Sequence, residues 1–148
     1  MKTIKHQLEI HCSQEEVFDL TQNYSKRLDW DPYLVEAYLL EGEKHAAIGI
    51  KSLCKNHSGL AMVTQYISFN RPHVAAVTMI KGPWLLKKFS GAWNVKYLSK
   101  NHSMLVFTYH FDLKGGFIGK LFLPFVVSKF SKDMKARLVA IKSYIEFV

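Results

Sequence analysis

GGFIGKLFLPFVVSKFSKDMKARLVAIKSYIEFV, residues 115–148, is the stretch whose reading decides the fold. Between Phe117 and Val127 its only charge is Lys120, so it could be a membrane anchor, a core helix or a lid over an apolar pocket. The longest apolar run, Leu121 to Val127, is far shorter than the roughly 20 residues a helix needs to span a bilayer. From Leu123 onward the pattern is helical. Leu123, Val127, Phe130, Met134, Leu138, Ile141, Ile145 and Val148 recur at spacings of three and four, while Lys129, Lys132, Lys135, Lys142 and Glu146 fall on a different side. The expectation is a long amphipathic helix with a basic outer face. Pro124, lacking an N–H, belongs in its first turn or at a kink, and Gly115-Gly116 suits a hinge before it.

Upstream, residues 34–113 break into short β-rich runs: LVEAYLLEG, AAIGIKSLCK, LAMVTQYISF, HVAAVTMIKG, GAWNVKYL and SMLVFTYHFDL. Turn-forming pieces such as EGEKH, KNHSG, NRPH and SKNH separate them. Six consecutive strands with hairpin-length connections make an antiparallel meander. The beginning adds a seventh strand, because Ile4, His6, Leu8 and Ile10 alternate with polar neighbours. Ser13, with Glu16 three residues on, forms a capping-box pattern before a short helix, and YSKRLDWDP reads as a second helical turn ended by Pro32.

Composition sets the outer limits. A chain of 148 residues is one ordinary domain, able to bury a core without disulfides or metals. Cys12 and Cys54 show no CxxC spacing and read as reduced thiols, and the N-terminus has no apolar signal-peptide core, so a cytoplasmic setting is expected. The net charge of +8 favours anionic partners without choosing among them.

A strand, two short helices, six meandering strands and one long C-terminal helix is the element order of the helix-grip fold. On IHCSQEEVFDLTQNYSKRLDWDP, LVEAYLLEG, the pair FSGAWNVKYL and LVFTYHFDL, and LFLPFVVSKFSKDMKARLVAIKSYIE, the sequence resembles the START-like, polyketide-cyclase/dehydrase superfamily, also called SRPBCC. The resemblance spans almost the whole chain as a single domain, residues 1–148. It implies an α+β architecture in which a curved seven-stranded antiparallel sheet wraps the long helix around an apolar cavity. In this superfamily the scaffold is constant while the chemistry varies, so fold alone fixes no reaction.

Several residues are candidates to line such a cavity. Phe130, Met134 and Leu138 on the helix stripe border it if the helix cannot fill the concave sheet; otherwise they are plain core. On the last strand Leu105, Phe107, Tyr109, Phe111 and Leu113 share a face assigned inward, and Trp93, Val95 and Tyr97 form the matching face of the strand before. Tyr and Trp bring polar tips into an apolar pocket, where a few such groups orient a ligand. Tyr66 and Thr78 lie on central strands of which either face could be the inner one, and Trp30 completes the ligand-binding set.

His110 and Asp112 share a strand face but lack further ligands at recognisable spacing, so no metal site is expected. Asp29 and Asp31 flank Trp30 and could serve acid/base work, although a turn with Asp29 paired to Lys26 or Arg27 is the plainer reading. GxSxG, Walker and GxGxxG motifs are missing from the sequence, and no cofactor is expected.

The leading expectation is a carrier or binder of a hydrophobic small molecule or lipid. A cyclase- or dehydrase-like enzyme using the same pocket is the alternative, and a ribosome- or protein-interaction module ranks last. KGPWLLKKF, residues 81–89, joins Trp84 and two leucines to three lysines; it reads as a loop over the cavity mouth that can also touch a membrane surface transiently. The scattered lysines carry no nucleic-acid signature, and nucleic acid is not the expected partner.

Overall fold

The computed structural model describes residues 1–147; Val148, placed above on the helix stripe, lies outside them. In chain order the elements are β1 (Lys2–Ile10), α1 (Gln14–Gln22), a 3-10 turn (Tyr24–Lys26), α2 (Arg27–Trp30), β2 (Leu34–Leu39), β3 (Lys51–Asn56), β4 (Ala61–Asn70), β5 (Val74–Lys81), β6 (Leu86–Ser99), β7 (His102–Leu113) and α3 (Phe117–Glu146). The seven strands form one antiparallel sheet in the order β1-β7-β6-β5-β4-β3-β2. β2 to β7 run as a meander, and β1 closes onto β7 from the other end of the chain. Two small helices and the long α3 complete the helix-grip architecture.

Local chemistry explains the entry into this sheet. Ser13 caps α1, accepting the Glu16 N–H at 3.3 Å, and Glu16 takes the Cys12 thiol instead of returning to the cap. Val17 and Phe18 of α1 are fully buried, and Arg71 in the β4–β5 turn grips Asp19 through two bonds of 2.7 and 2.8 Å.

The core runs along the two longest strands. Their register pairs Phe89 with Phe111, Gly91 with Tyr109, Trp93 with Phe107 and Val95 with Leu105. Gly91 matters here, because the Tyr109 ring lies against it where a Cβ would already be in contact at 3.4 Å. Met134, Leu138 and Ile141 of α3 are fully buried against this face.

α3 is held unevenly. Toward its C-terminal end Lys142 donates to the Glu9 carbonyl at 2.8 Å and Glu146 accepts the His11 N–H at 2.9 Å, while His6 bonds Ser131 at 2.7 Å. Its first turns are different: Phe117 is 75% exposed and Phe125 73%, with Ile118, Leu121 and Phe122 also exposed. The anchored half is core, and the other half presents apolar side chains outward.

Three boundaries differ from the sequence reading. α3 starts at Phe117, directly after Gly116, and contains Pro124 in its interior. Gly119 permits that early start, since a Cβ there would collide with the Lys114 carbonyl. β6 begins at Leu86, because Leu86 and Phe89 are buried on the core side, which leaves only residues 82–85 as loop. β3 begins at Lys51, and residues 46–50 precede it without strand structure. Among the described residues no helix is long and apolar enough to cross a membrane.

Candidate functional site

Between the concave sheet and α3 lies a cavity of about 420 Å³. Its walls are chiefly apolar: Met62 from β4, Val77 from β5, Leu86 and Phe89 from β6, Leu113 from β7 and Val126 from α3 are among them. Aromatic rings stiffen one side. Trp93 stacks on Phe107 with centroids 3.8 Å apart, and Tyr109 packs edge-on to Phe89, Phe107 and Phe130 at 4.7, 5.0 and 5.6 Å. The size falls within the range of roughly 300–1,000 Å³ usual for small-molecule sites.

At one end of the cavity charge is buried. Arg27 and Arg137 both line it, and Asp31 sits behind them; the two arginine side chains are each 6% exposed and the aspartate 0%. Asp31 Oδ2 accepts Arg27 Nε at 2.8 Å and Arg137 Nε at 3.1 Å, Arg137 Nη2 lies 3.1 Å from the same oxygen as an ion-pair contact, and Oδ1 accepts the Tyr33 N–H at 3.0 Å. Arg137 also donates through Nη1 to the Tyr109 hydroxyl at 2.7 Å. Burial alone would raise the Asp31 pKa, but Arg137 and Arg27 outweigh it and hold the carboxyl below its ordinary value. Arg27 lies 5.1 Å from the Trp30 ring, and Arg137 lies 5.0 Å from Phe107 and 5.1 Å from Tyr33, so aromatic faces stand in for water around both cations.

Neutral polar groups flank this cluster. The Tyr66 hydroxyl donates to Gln22 Oε1 at 2.5 Å and meets the Tyr24 hydroxyl at 3.0 Å; Ser52 and Thr64 bond across β3 and β4 at 2.9 Å. Burial pushes the Tyr24, Tyr66 and Tyr109 phenols and the Cys54 thiol above their ordinary values. All four stay protonated at neutral pH and carry no charge.

Of the residues singled out from sequence, the fold brings Tyr66, Trp93, Phe107, Tyr109 and Phe130 together around the cavity. Trp30, Met134 and Leu138 are buried in the packing behind it, Trp30 edge-on to Trp93 at 6.3 Å. Thr78 is corrected: its neighbours Val77 and Met79 pack on the core, so it takes the other face of β5. Tyr97 is corrected as well. It lies past the last core pair of Val95 and Leu105 and is 63% exposed. His110 bonds Thr3 and Asp112 pairs with the N-terminal amine, so the two are separately occupied. In DWDP it is Asp31 that pairs with Arg27, whereas Asp29 is exposed. No group of three or more metal-ligating side chains occurs among the described residues.

Arg27 and Arg137 escaped the sequence reading because charge ordinarily marks a surface. A signal was nonetheless present: Arg137 follows Met134 by three and precedes Ile141 by four, which puts it on the apolar stripe.

A curved antiparallel sheet gripping a long C-terminal helix over an aromatic-walled cavity defines a START-like, helix-grip protein. The chain belongs to the polyketide cyclase/dehydrase and lipid transport family, whose sequence profile matches residues 1–146. No curated protein matches it in sequence. Among solved structures it is similar to the Zhui aromatase/cyclase from Streptomyces sp. R1128, with a TM-score of 0.80 at 15% identity over 98% of this chain and 93% of that one. The Bacillus cereus protein XoxI superposes with a TM-score of 0.77 at 19% identity over 97% and 95%. A START superfamily protein from Mycobacterium smegmatis gives 0.67 at 12% identity over 92% and 96%. At such identities the likeness is one of fold.

Proposed function

We propose that this protein binds a hydrophobic small molecule or lipid between its sheet and α3 and exchanges it at a membrane surface. The observation that carries the reading is the cavity itself, about 420 Å³ with predominantly apolar and aromatic walls. A cavity lined this way favours apolar contents, because each CH₂ moved out of water contributes about 0.8 kcal/mol.

The mouth supports the exchange step. Pro83 and Leu85 of the β5–β6 loop and the exposed Phe125 of α3 line the cavity, and the Lys114 N–H bonds the Leu85 carbonyl at 2.8 Å, tying the loop to the segment before α3. Trp84, 77% exposed, and Phe117 project from these same two segments. Lys81, Lys87, Lys88, Lys114 and Lys120, all exposed, flank them along the chain. From Lys81 to Lys132 nine lysines are set against one acid, Asp112, which is engaged by the N-terminus. Apolar rings within a lysine border match the interface of an anionic bilayer.

Protein purified under native conditions is expected to release an apolar ligand on solvent extraction, or to show a raised melting temperature with members of a lipid panel. Val77→Trp, which fills the cavity from β5, should abolish both effects while the fold persists. Binding that survives this substitution unchanged places the ligand elsewhere and removes the proposal.

A second reading, a cyclase-like enzyme in the same cavity, is favoured by one feature. Arg137 and Tyr109 are bonded to each other on the cavity wall, where two such donors could stabilise a developing enolate. Turnover lost in Tyr109→Phe with ligand affinity retained would establish it.

A further inference from the structure

We infer that the cavity's ligand is amphipathic and carries one anionic group, a carboxylate or equivalent oxyanion, seated against Arg27. This rests on the binding reading above and adds the chemistry of the head group.

The charge balance is the starting point. Ionised groups on the cavity wall, with Asp31 behind them, comprise three cations, Arg27, Arg137 and Lys129, and two carboxylates, Asp31 and Asp133. Lys129 and Asp133 bond each other at 3.3 Å. That leaves two guanidiniums on one aspartate. The other titratable groups nearby, Tyr24, Tyr66, Tyr109 and Cys54, are held protonated by burial and supply no compensating charge. One positive charge is in excess at a buried position, where an unpaired ion is strongly unfavourable.

Hydrogen-bonding capacity is distributed in the same sense. Asp31 accepts three N–H groups, two on Oδ2 and one on Oδ1, and Arg137 Nη2 adds an ion-pair contact to Oδ2 at 3.1 Å. Arg137 donates Nε to Asp31 and Nη1 to Tyr109, and its Nη2 is held in ion-pair contact with Asp31. Arg27 spends only Nε; among the described residues its Nη1 and Nη2 make no hydrogen bond, although Arg27 lines the cavity. The terminal edge of a guanidinium can receive a carboxylate through two parallel bonds. Trp30 backs Arg27 and Asp31 fixes its Nε, so the orientation is set before a ligand arrives. Beyond that edge the walls are apolar, which suits an alkyl or aryl body.

Calorimetric titration with decanoate and with 1-decanol at neutral pH separates the possibilities. Decanoate should bind at least about tenfold tighter, as charge-assisted bonds to a buried cation require. Equal or tighter binding of 1-decanol overturns the anionic seat and leaves the apolar-cavity reading standing. Failure of both to bind overturns both readings. Arg27→Met removes the guanidinium while keeping an unbranched stem and leaves Asp31 paired to Arg137; it should erase the decanoate advantage over 1-decanol, and an advantage that persists excludes Arg27 as the anchor. If that variant does not fold, [1-¹³C]decanoate on the unaltered protein decides. Its bound carboxyl should protonate at lower pH than the free acid, and protonation at the same or higher pH refutes the proposal.

Discussion

Replacing Asp31 by asparagine tests the buried charge cluster directly. The substitution preserves shape but removes the one negative charge between Arg27 and Arg137, whose side chains are each 6% exposed. An asparagine Oδ1 lacks the charge that holds the two N–H bonds and the further guanidinium contact on Asp31 Oδ2, and its NH₂ would face a guanidinium. Breaking a buried ion pair by removing one partner costs about 3–5 kcal/mol. For a chain of this length 1 kcal/mol shifts the melting temperature by roughly 2–4 °C, so the midpoint should fall by about 6–20 °C. Differential scanning calorimetry at neutral pH measures it. A loss below about 1 kcal/mol, the worth of a solvent-exposed pair, would refute the view that this aspartate holds two buried cations.

The same substitution has a pH signature. Since the folded pKa of Asp31 is held below its ordinary value of 3.8, its ionisation adds stability that is present above that value. The contribution is lost as pH falls through the lower folded value. Asp31→Asn should therefore show a shallower loss of stability across that acid range than the unaltered protein. Arg27→Met combined with Asp31→Asn, which removes one of the two opposed cations, should recover part of the midpoint.

Other parts of the molecule answer to simpler changes. Tyr66→Phe deletes the hydroxyl shared with Gln22 and Tyr24, leaves Gln22 Oε1 without that donor, and should cost about 1–3 kcal/mol in urea denaturation. Met134→Ala empties a fully buried position behind the cavity, and a loss of about 2–5 kcal/mol is expected with ligand preference unchanged. Trp84→Ser with Phe117→Ser alters only exposed side chains, so stability should stay within about 0.5 kcal/mol per site. Sedimentation with phosphatidylserine vesicles should nonetheless fall at least about tenfold for that pair, and unchanged sedimentation counts against membrane docking.

Much of this architecture could be read from periodicity, and the failures have physical causes. The period of two along β7 identified Leu105, Phe107, Tyr109 and Phe111 as one face because both layers of the core press on it. Period gives phase but not the extent of the covering layer. Tyr97 keeps the phase of Trp93 and Val95 yet is exposed, since the strand continues past its cover. α3 shows the reverse: the spacing pattern begins the helix at Leu123, whereas Phe117, Ile118, Leu121 and Phe122, all exposed, are already helical. Depth along the stripe was equally hidden. Phe130 reaches the cavity while Met134 and Leu138, at the next turns, are sealed behind it.

The arginines show where pattern reading reaches its limit and what replaces it. A buried cation is tolerable only with a partner, so Arg137 on an apolar stripe demanded a carboxylate somewhere in the chain, and Asp31, over a hundred residues away, could be matched to it only through the fold. Once Arg27 proves to share that carboxylate, the requirement is still unmet, because one negative charge cannot satisfy two cations. A structure selected for stability alone would replace the second arginine with an apolar residue of similar volume, a change often neutral or stabilising. Its retention beside an apolar cavity is explained if the missing negative charge arrives with the ligand. Binding and stability would then be linked: decanoate should raise the melting temperature of the unaltered protein, and raise that of Asp31→Asn by more, since there it meets two unpaired guanidiniums. Equal increments in the two proteins would separate the cluster from the ligand and leave it a purely structural feature.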